Sequence, residues 1–247
     1  PYILKVRGIS HEKKKSLEEL YGIRFGAMGM KETYIKCGNL EQKGVRSDFV
    51  NIANLSNRPM EVGFMDVSDN LSIKVTPNPV PPRGTAELEF TVSASREKWG
   101  RNDYWATPVV NGQAVKASNG DSRIGFWAFT KENFSGLTDE EKAKGSRPMF
   151  DASTYSFGKI KAGETVHATF EFTNKGSSTF CVYKVDVNAC KWSHSDIPAV
   201  APGEKAKFRV HLDTSKLPKG EALAIVTLTT NSPHRPIVNL FISGWIE

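Results

Sequence analysis

An all-β chain built from two tandem antiparallel β-sandwiches with a short helical linker is predicted by three observations. The first is repetition at a fixed offset of 120 residues. Asn54 falls on Asn174, and Pro82, Ala86, Leu88, Phe90, Val92 and Gly100 fall on Pro202, Ala206, Phe208, Val210, Leu212 and Gly220, with no gap over 47 residues. A repeated pattern of short strands means repeated modules. The second is alternation. Val166, Ala168, Phe170 and Phe172 are interleaved with His167, Thr169 and Glu171, and Ala206, Phe208, Val210 and Leu212 with Lys207, Arg209 and His211. Period two with one apolar face marks half-buried antiparallel strands. The third is punctuation by Asn174-Lys175-Gly176, Pro202-Gly203, Lys219-Gly220 and Asn231-Ser232-Pro233, with no long helical period between them. Strands spaced this way form sandwiches of the immunoglobulin type, because one sheet cannot hide its own apolar face.

The elements follow in order. Residues 1–9 read like the closing strand at 238–244, so they are expected to be the end of a preceding module and the chain to be a fragment. An unpaired strand invites addition, so self-association through 1–9 is expected. Residues 10–30 read as a linker in which Ser16 and Glu19 form a capping box, the hydroxyl and carboxylate each accepting from a backbone N–H at the helix start. The first module spans 31–132, with strands at 31–37, 45–53, 59–65, 71–76, 85–93, 103–110 and 122–130. An insertion between Asn111 and Gly120 separates the last two. Residues 133–147 form a second linker, in which Thr138 and Glu141 repeat the capping box and Gly145 stops the helix. The second module spans 148–247, with strands at 165–173, 179–188, 205–212, 222–230 and 237–246.

Bulk properties exclude several classes. The composition, 39% hydrophobic and 24% charged, is that of a globular protein. No apolar run approaches the roughly 20 residues of a membrane helix, so no membrane-spanning segment is expected. Of the net charge of +6, residues 1–31 contribute +4, from seven Lys or Arg against three Glu. A charge excess gathered in a short solvated stretch is not a nucleic-acid face. Cys37, Cys181 and Cys190 make no disulfide framework. If the strand after Cys181 is continuous, Cys190 lies about 30 Å away, far beyond the roughly 7 Å a disulfide spans.

The C-terminal stretch carries, in order, Tyr155-Ser156-Phe157-Gly158, Phe170-Glu171-Phe172-Thr173-Asn174, Ala189-Cys190, Ala201-Pro202-Gly203-Glu204, Thr229-Thr230-Asn231-Ser232-Pro233 and Ile242-Ser243-Gly244. This series resembles a bacterial immunoglobulin-like repeat family, the domain of unknown function 1573, often found in tandem. The resemblance implies a sandwich fold similar to those of major sperm protein and cilium-associated proteins. It also implies a place in the cell envelope, periplasm or surface, or in the secreted proteins, of Bacteroidetes-type bacteria. The family pattern has Cys-Gly-Cys where this chain has Cys190-Lys191-Trp192, which removes the second thiol. The family has no assigned activity.

Candidate chemistry is sparse. Cys190, His194 and Asp196 are close in sequence, but zinc wants three or four ligands at paired spacing. His167 and His211 occupy outward positions on alternating strands, where a solvated imidazole is the ordinary outcome. No P-loop, dinucleotide fingerprint or His-Glu-x-x-His occurs. Neither a catalytic residue nor a metal or cofactor is therefore assigned. The aromatic group Trp99, Tyr104, Trp105, Phe126 and Trp127 remains. Alternation forbids both members of Tyr104–Trp105, or of Phe126–Trp127, from facing inward. One of each pair is expected outside, beside the 111–121 insertion, and Trp99, Tyr104, Trp105 and Trp127 form the candidate recognition surface. The sequence reading is a non-enzymatic structural or interaction module of the envelope with a protein or glycan partner. The alternatives are a periplasmic chaperone-like binder of edge strands and, last, a thiol- or metal-dependent enzyme.

Overall fold

The structure, a computed structural model, describes residues 14–94, 98–189 and 191–247. The reading of 1–9 as a closing strand, with the self-association resting on it, lies outside the described residues. Among the described residues, ten strands precede the second helix: β1 (Ile23–Phe25), β2 (Met28–Met30), β3 (Tyr34–Glu41), β4 (Val45–Asn54), β5 (Val62–Met65), β6 (Leu71–Thr76), β7 (Thr85–Ser93), β8 (Gly100–Val110), β9 (Gln113–Ala114) and β10 (Ile124–Lys131). They form two sheets, ordered β1-β2-β4-β7-β6 and β3-β10-β8-β5, with β9 on β8. Eight strands follow: β11 (Pro148–Phe150), β12 (Thr154–Ile160), β13 (Thr165–Asn174), β14 (Val182–Val187), β15 (Trp192–His194), β16 (Lys205–Asp213), β17 (Gly220–Thr230) and β18 (Ile237–Ile246). Their sheets are ordered β11-β13-β16-β15 and β12-β18-β17-β14.

The alternation read from the sequence holds along β7, β8, β13 and β16. Ala86, Leu88, Phe90 and Val92 of β7 are buried and their neighbours are not. Phe90 meets Phe126 of β10 at 5.0 Å, joining the inner faces of the two sheets. In the C-terminal sandwich, Phe170, Phe172, Phe180, Phe208, Val210, Val226, Leu240 and Ile242 form one core. Each such large side chain stabilises the fold by about 1.5–3 kcal/mol on burial.

The helices are single turns, α1 (Leu17–Leu20) and α2 (Asp139–Ala143), and both capping boxes form. Residues 23–30, read as linker, are instead the hairpin β1–β2. Phe25, Met28 and Met30 are buried, and β2 pairs with β4 through Met28↔Asn54. Strand β11 does the same through Pro148↔Asn174, at the same offset of 120. Strand β12 adds parallel to β18, with a bulge between Ser156 and Lys159 where Gly158 has φ +67°.

The repeat has a buried polar centre. Asn54 and Asn174 are both 0% exposed. The Asn54 amide donates to the carbonyls of Arg58, Val80 and Pro81, and its oxygen accepts from the Ser56 N–H. The Asn174 amide donates to Ser178 and Val200, and its oxygen accepts from the N–H groups of Gly176 and Arg147. Each side chain ties the end of its strand to the next turn and to a residue beyond it, satisfying backbone groups that burial would otherwise leave costly.

By compactness the chain divides into two units. The first takes the chain to Ile35, Ser47–Thr91 and Tyr104–Phe126; the second takes Lys36–Arg46, Val92–Asp103 and Trp127–Glu247.

Candidate functional site

Strand β8 places the aromatic residues. Its even positions face the core, so Tyr104 is 4% exposed and packs inside. That removes Tyr104 from the candidate surface: its register, not its chemistry, decides. Trp105 faces out and is half-buried. Ser68, in the turn between β5 and β6, fixes it from both sides. Its hydroxyl accepts from the Trp105 N–H at 2.8 Å and its own N–H donates to the Trp105 carbonyl at 2.8 Å.

Trp105 meets Tyr34 of β3, ring centroids 5.6 Å apart and planes 26° from parallel. Gly125 of β10 makes that stack fit. A Cβ at Gly125 would lie 2.2 Å from the Tyr34 ring and 2.7 Å from the Trp105 ring. Arg123 places its guanidinium 5.0 Å from the Trp105 ring centroid, within cation–π range. Thr33, Tyr34, Trp105, Asp121, Ser122 and Arg123 line an open cleft of about 390 Å³.

Asp121 ends the insertion and sits at the rim. The Thr33 hydroxyl donates to one of its carboxylate oxygens at 2.6 Å, and the Asn119 amide donates at 2.8 Å. These bonds, the Thr33 hydroxyl first, hold the carboxyl below its ordinary range. The insertion docks on β1 rather than over the tryptophan. Ala117 is buried and bridges Phe25, and the Ser118 N–H donates to the Arg24 carbonyl at 2.7 Å. The cleft therefore opens to solvent with a stacked aromatic pair, a cation and a fixed carboxylate around it.

The other candidates are committed elsewhere in the second unit. Trp127 faces out with Lys36 at 5.4 Å and Arg101 at 4.8 Å from its ring, and meets Phe129 edge-on at 5.8 Å. Trp99 stacks on Tyr183 at 4.5 Å, planes 13° apart. The Tyr183 hydroxyl donates to Glu132 at 2.6 Å, and burial followed by that carboxylate raises its pKa. Alongside, the Arg101 N–H donates to Asp186 and the Lys184 ammonium donates to the Arg101 carbonyl, each at 3.0 Å. Trp99 is thus a packing residue.

Among the described residues, the thiol and metal candidates form no cluster. Cys37 is buried in β3. Cys190 lies outside the described residues. His194 donates from Nδ1 to the Ser195 carbonyl at 2.7 Å. Among the described residues no three His, Cys, Asp or Glu side chains group as metal ligands. His167 and His211 do meet, Nδ1 to Nδ1 at 2.5 Å, across β13 and β16. Tyr34, Gly125 and Arg123 were not singled out from sequence, because they join Trp105 only through sheet order.

Residues 149–246 match the family model described as protein of unknown function (DUF1573). A crystal structure of a protein of unknown function from Porphyromonas gingivalis W83 is similar in fold, with a TM-score of 0.68 at 14% identity, covering 89% of this chain and 100% of that one. A PapD-like domain of human CEP192 aligns with a TM-score of 0.36 at 12% identity, over 47% of this chain and 94% of that one. No curated protein matches the chain.

Proposed function

We propose that this chain, whose C-terminal module is of the DUF1573 family, is a non-enzymatic interaction module of the bacterial envelope that takes a glycan ring at the Tyr34–Trp105 cleft. The observation that carries the reading is the stacked pair at the mouth of an open cleft, with Arg123 and Asp121 on its rim. A flat aromatic face takes the apolar side of a pyranose. A guanidinium and a carboxylate, with the Ser122 hydroxyl beside them, suit its hydroxyl groups. The envelope setting rests on the family resemblance. The edge-strand reading has less behind it. Strand β15 has three residues and β12 is bulged, devices by which sheets resist strand addition.

The test is a glycan array followed by titration of the best ligand against wild type and Trp105→Ala. The expected result is saturable binding that falls by about 30-fold or more in the variant, as for a buried aromatic anchor worth about 2 kcal/mol. Binding unchanged in Trp105→Ala, or no glycan bound by the wild type, overturns the assignment of this cleft.

A further inference from the structure

We propose that His167 and His211 form a two-imidazole binding site for a divalent transition-metal ion, Cu²⁺ in preference to Zn²⁺ or Ni²⁺. The two residues are direct cross-strand partners on β13 and β16, the middle strands of their sheet. Their ring centroids are 4.7 Å apart with planes at 76°, and the two Nδ1 atoms face each other at 2.5 Å. Two N–H groups cannot point at one another, nor can two lone pairs rest in contact. One proton therefore lies between the rings, and one Nδ1 offers a lone pair to it.

A metal ion takes the place of that proton between the rings when the proton shifts along its own ring, so that both imidazoles stay neutral and the ion brings its own charge. The donor ring carries its proton on Nε2 instead, and both Nδ1 lone pairs turn to the ion. Metal–imidazole bonds are about 2.0–2.1 Å, so the two nitrogens need to stand about 3 Å apart. Small side-chain rotations of two outward residues supply the opening. The backbone beneath is already placed. β13 and β16 stay in register from Thr165↔Asp213 to Thr173↔Lys205, and Ala168, Phe170, Val210 and Leu212 anchor them to the core.

The surroundings set the ion class. Outward neighbours along the two strands are Thr165, Thr169, Arg209 and Asp213, and Ser193 of β15 lies opposite His211. The Asp213 carboxylate is engaged by the Ser215 N–H at 2.8 Å and by Lys191 at 3.3 Å. Two nitrogens, with no third protein ligand beside them among the described residues, do not suit the hard ions Ca²⁺ and Mg²⁺, which want oxygen cages. Imidazole suits Cu²⁺, Ni²⁺ and Zn²⁺, with Cu²⁺ the tightest, and water fills the open positions.

The experiment is calorimetric titration of the tag-free chain with CuCl₂ and with ZnCl₂ in glycine buffer, together with electron paramagnetic resonance of the copper form. One saturable equivalent and nitrogen hyperfine splitting from two imidazoles are expected. His167→Gln and His211→Gln should each weaken binding by about tenfold or more, since even loss of a supporting partner of a metal ligand costs about 10–100-fold. Both glutamines keep a polar surface residue, and circular dichroism of the metal-free variants checks their fold. His194→Ala should leave the site intact. Copper binding that is unaffected in His167→Gln/His211→Gln, that is lost in His194→Ala, or that never saturates at one equivalent overturns the proposal.

Discussion

On the outward face of the first sandwich, Trp105 carries the Arg123 guanidinium on its ring and leans on Tyr34 over a glycine. On the outward face of the second, β13 and β16 instead set polar residues opposite each other: Glu171 on Lys207, Thr169 on Arg209, His167 on His211. The inward faces do not diverge in this way. Leu88 and Phe208, Phe90 and Val210, Val92 and Leu212 are all buried, 120 positions apart. Beneath both lies the same buried asparagine, with carbonyl acceptors at the same offset, Arg58 and Ser178, Val80 and Val200. Packing holds the inside of a repeated fold to one solution, because volume and hydrogen-bond satisfaction are both constrained there. The outside is free to acquire chemistry.

The comparison is broken most severely at its shared centre. Asn54→Ala and Asn174→Ala each remove the oxygen that accepts from backbone N–H groups, Ser56 in the first copy and Gly176 and Arg147 in the second, and the amide that adds a second hydrogen bond to the Val80 or Val200 carbonyl. A loss of about 2–4 kcal/mol is expected for each, read by urea denaturation. If one substitution costs less than about 1 kcal/mol, the two asparagines are not equivalent supports and the repeat is one of sequence alone. Asn54 also accepts from the Ser56 hydroxyl at 2.8 Å, where the second copy has Gly176. The first substitution should therefore be the more costly.

Much of this frame was legible in the sequence. The offset of 120 paired Asn54 with Asn174, and period two required Tyr104 and Trp105 to face opposite ways without saying which is buried, because strand alternation is a local rule that leaves the inward face to the rest of the sheet. Both capping boxes were legible for the same reason, since Ser16 with Glu19 and Thr138 with Glu141 act across three residues. What escaped was short or long-range. β1, β2 and β15 have three residues each, too few for a period to show. The parallel addition of β12 to β18 joins Thr154 to Phe241, and no local signal announces it. The cleft escaped for the same reason. Tyr34, Trp105 and Gly125 come from three strands that are neighbours only in the sheet order β3-β10-β8-β5. Alternation makes His167 and His211 each outward, but their meeting, 44 residues apart in the chain, depends on the register of β13 against β16.

Gly125→Ala sharpens the difference between the outward faces. The added methyl falls within van der Waals overlap of both Tyr34 and Trp105, so the rings must part. Overpacking of this kind costs about 1–3 kcal/mol, and the loss should be accompanied by a changed near-ultraviolet dichroism of the aromatic pair. Glycan affinity at the cleft should fall with it. On the second sandwich the corresponding operation is harmless. Thr169→Val adds no ring conflict on a solvated face, and a change within about 0.5 kcal/mol is expected. Equal losses from the two substitutions would mean that the aromatic stack is no more specified than an ordinary surface strand.

The smallest effect separates the two single-turn helices. In α2, Glu141 accepts from its own cap, Thr138, and Lys144 pairs with Glu140 one turn away, so its charges stay local. In α1, Glu18 instead reaches Arg83, whose guanidinium donates to its two oxygens at 2.5 and 3.1 Å and also to the Leu55 carbonyl at 2.9 Å. That hydrogen-bonded guanidinium lowers the Glu18 pKa from an ordinary 4.5 to about 2. A depressed folded pKa means stability that is present above the unfolded value and lost as pH falls through the folded one. The Arg83 link should thus hold at pH 5 and fade between about 4.5 and about 2. Melting temperatures of wild type and Glu18→Gln should differ slightly at pH 5 and converge by pH 2. The pair is solvent-exposed, so 1 M salt should erase most of the difference. A gap that persists at pH 2 would show that Glu18 acts through packing of its stem and not through its charge, and α1 and α2 would then be held to the sandwiches in the same way.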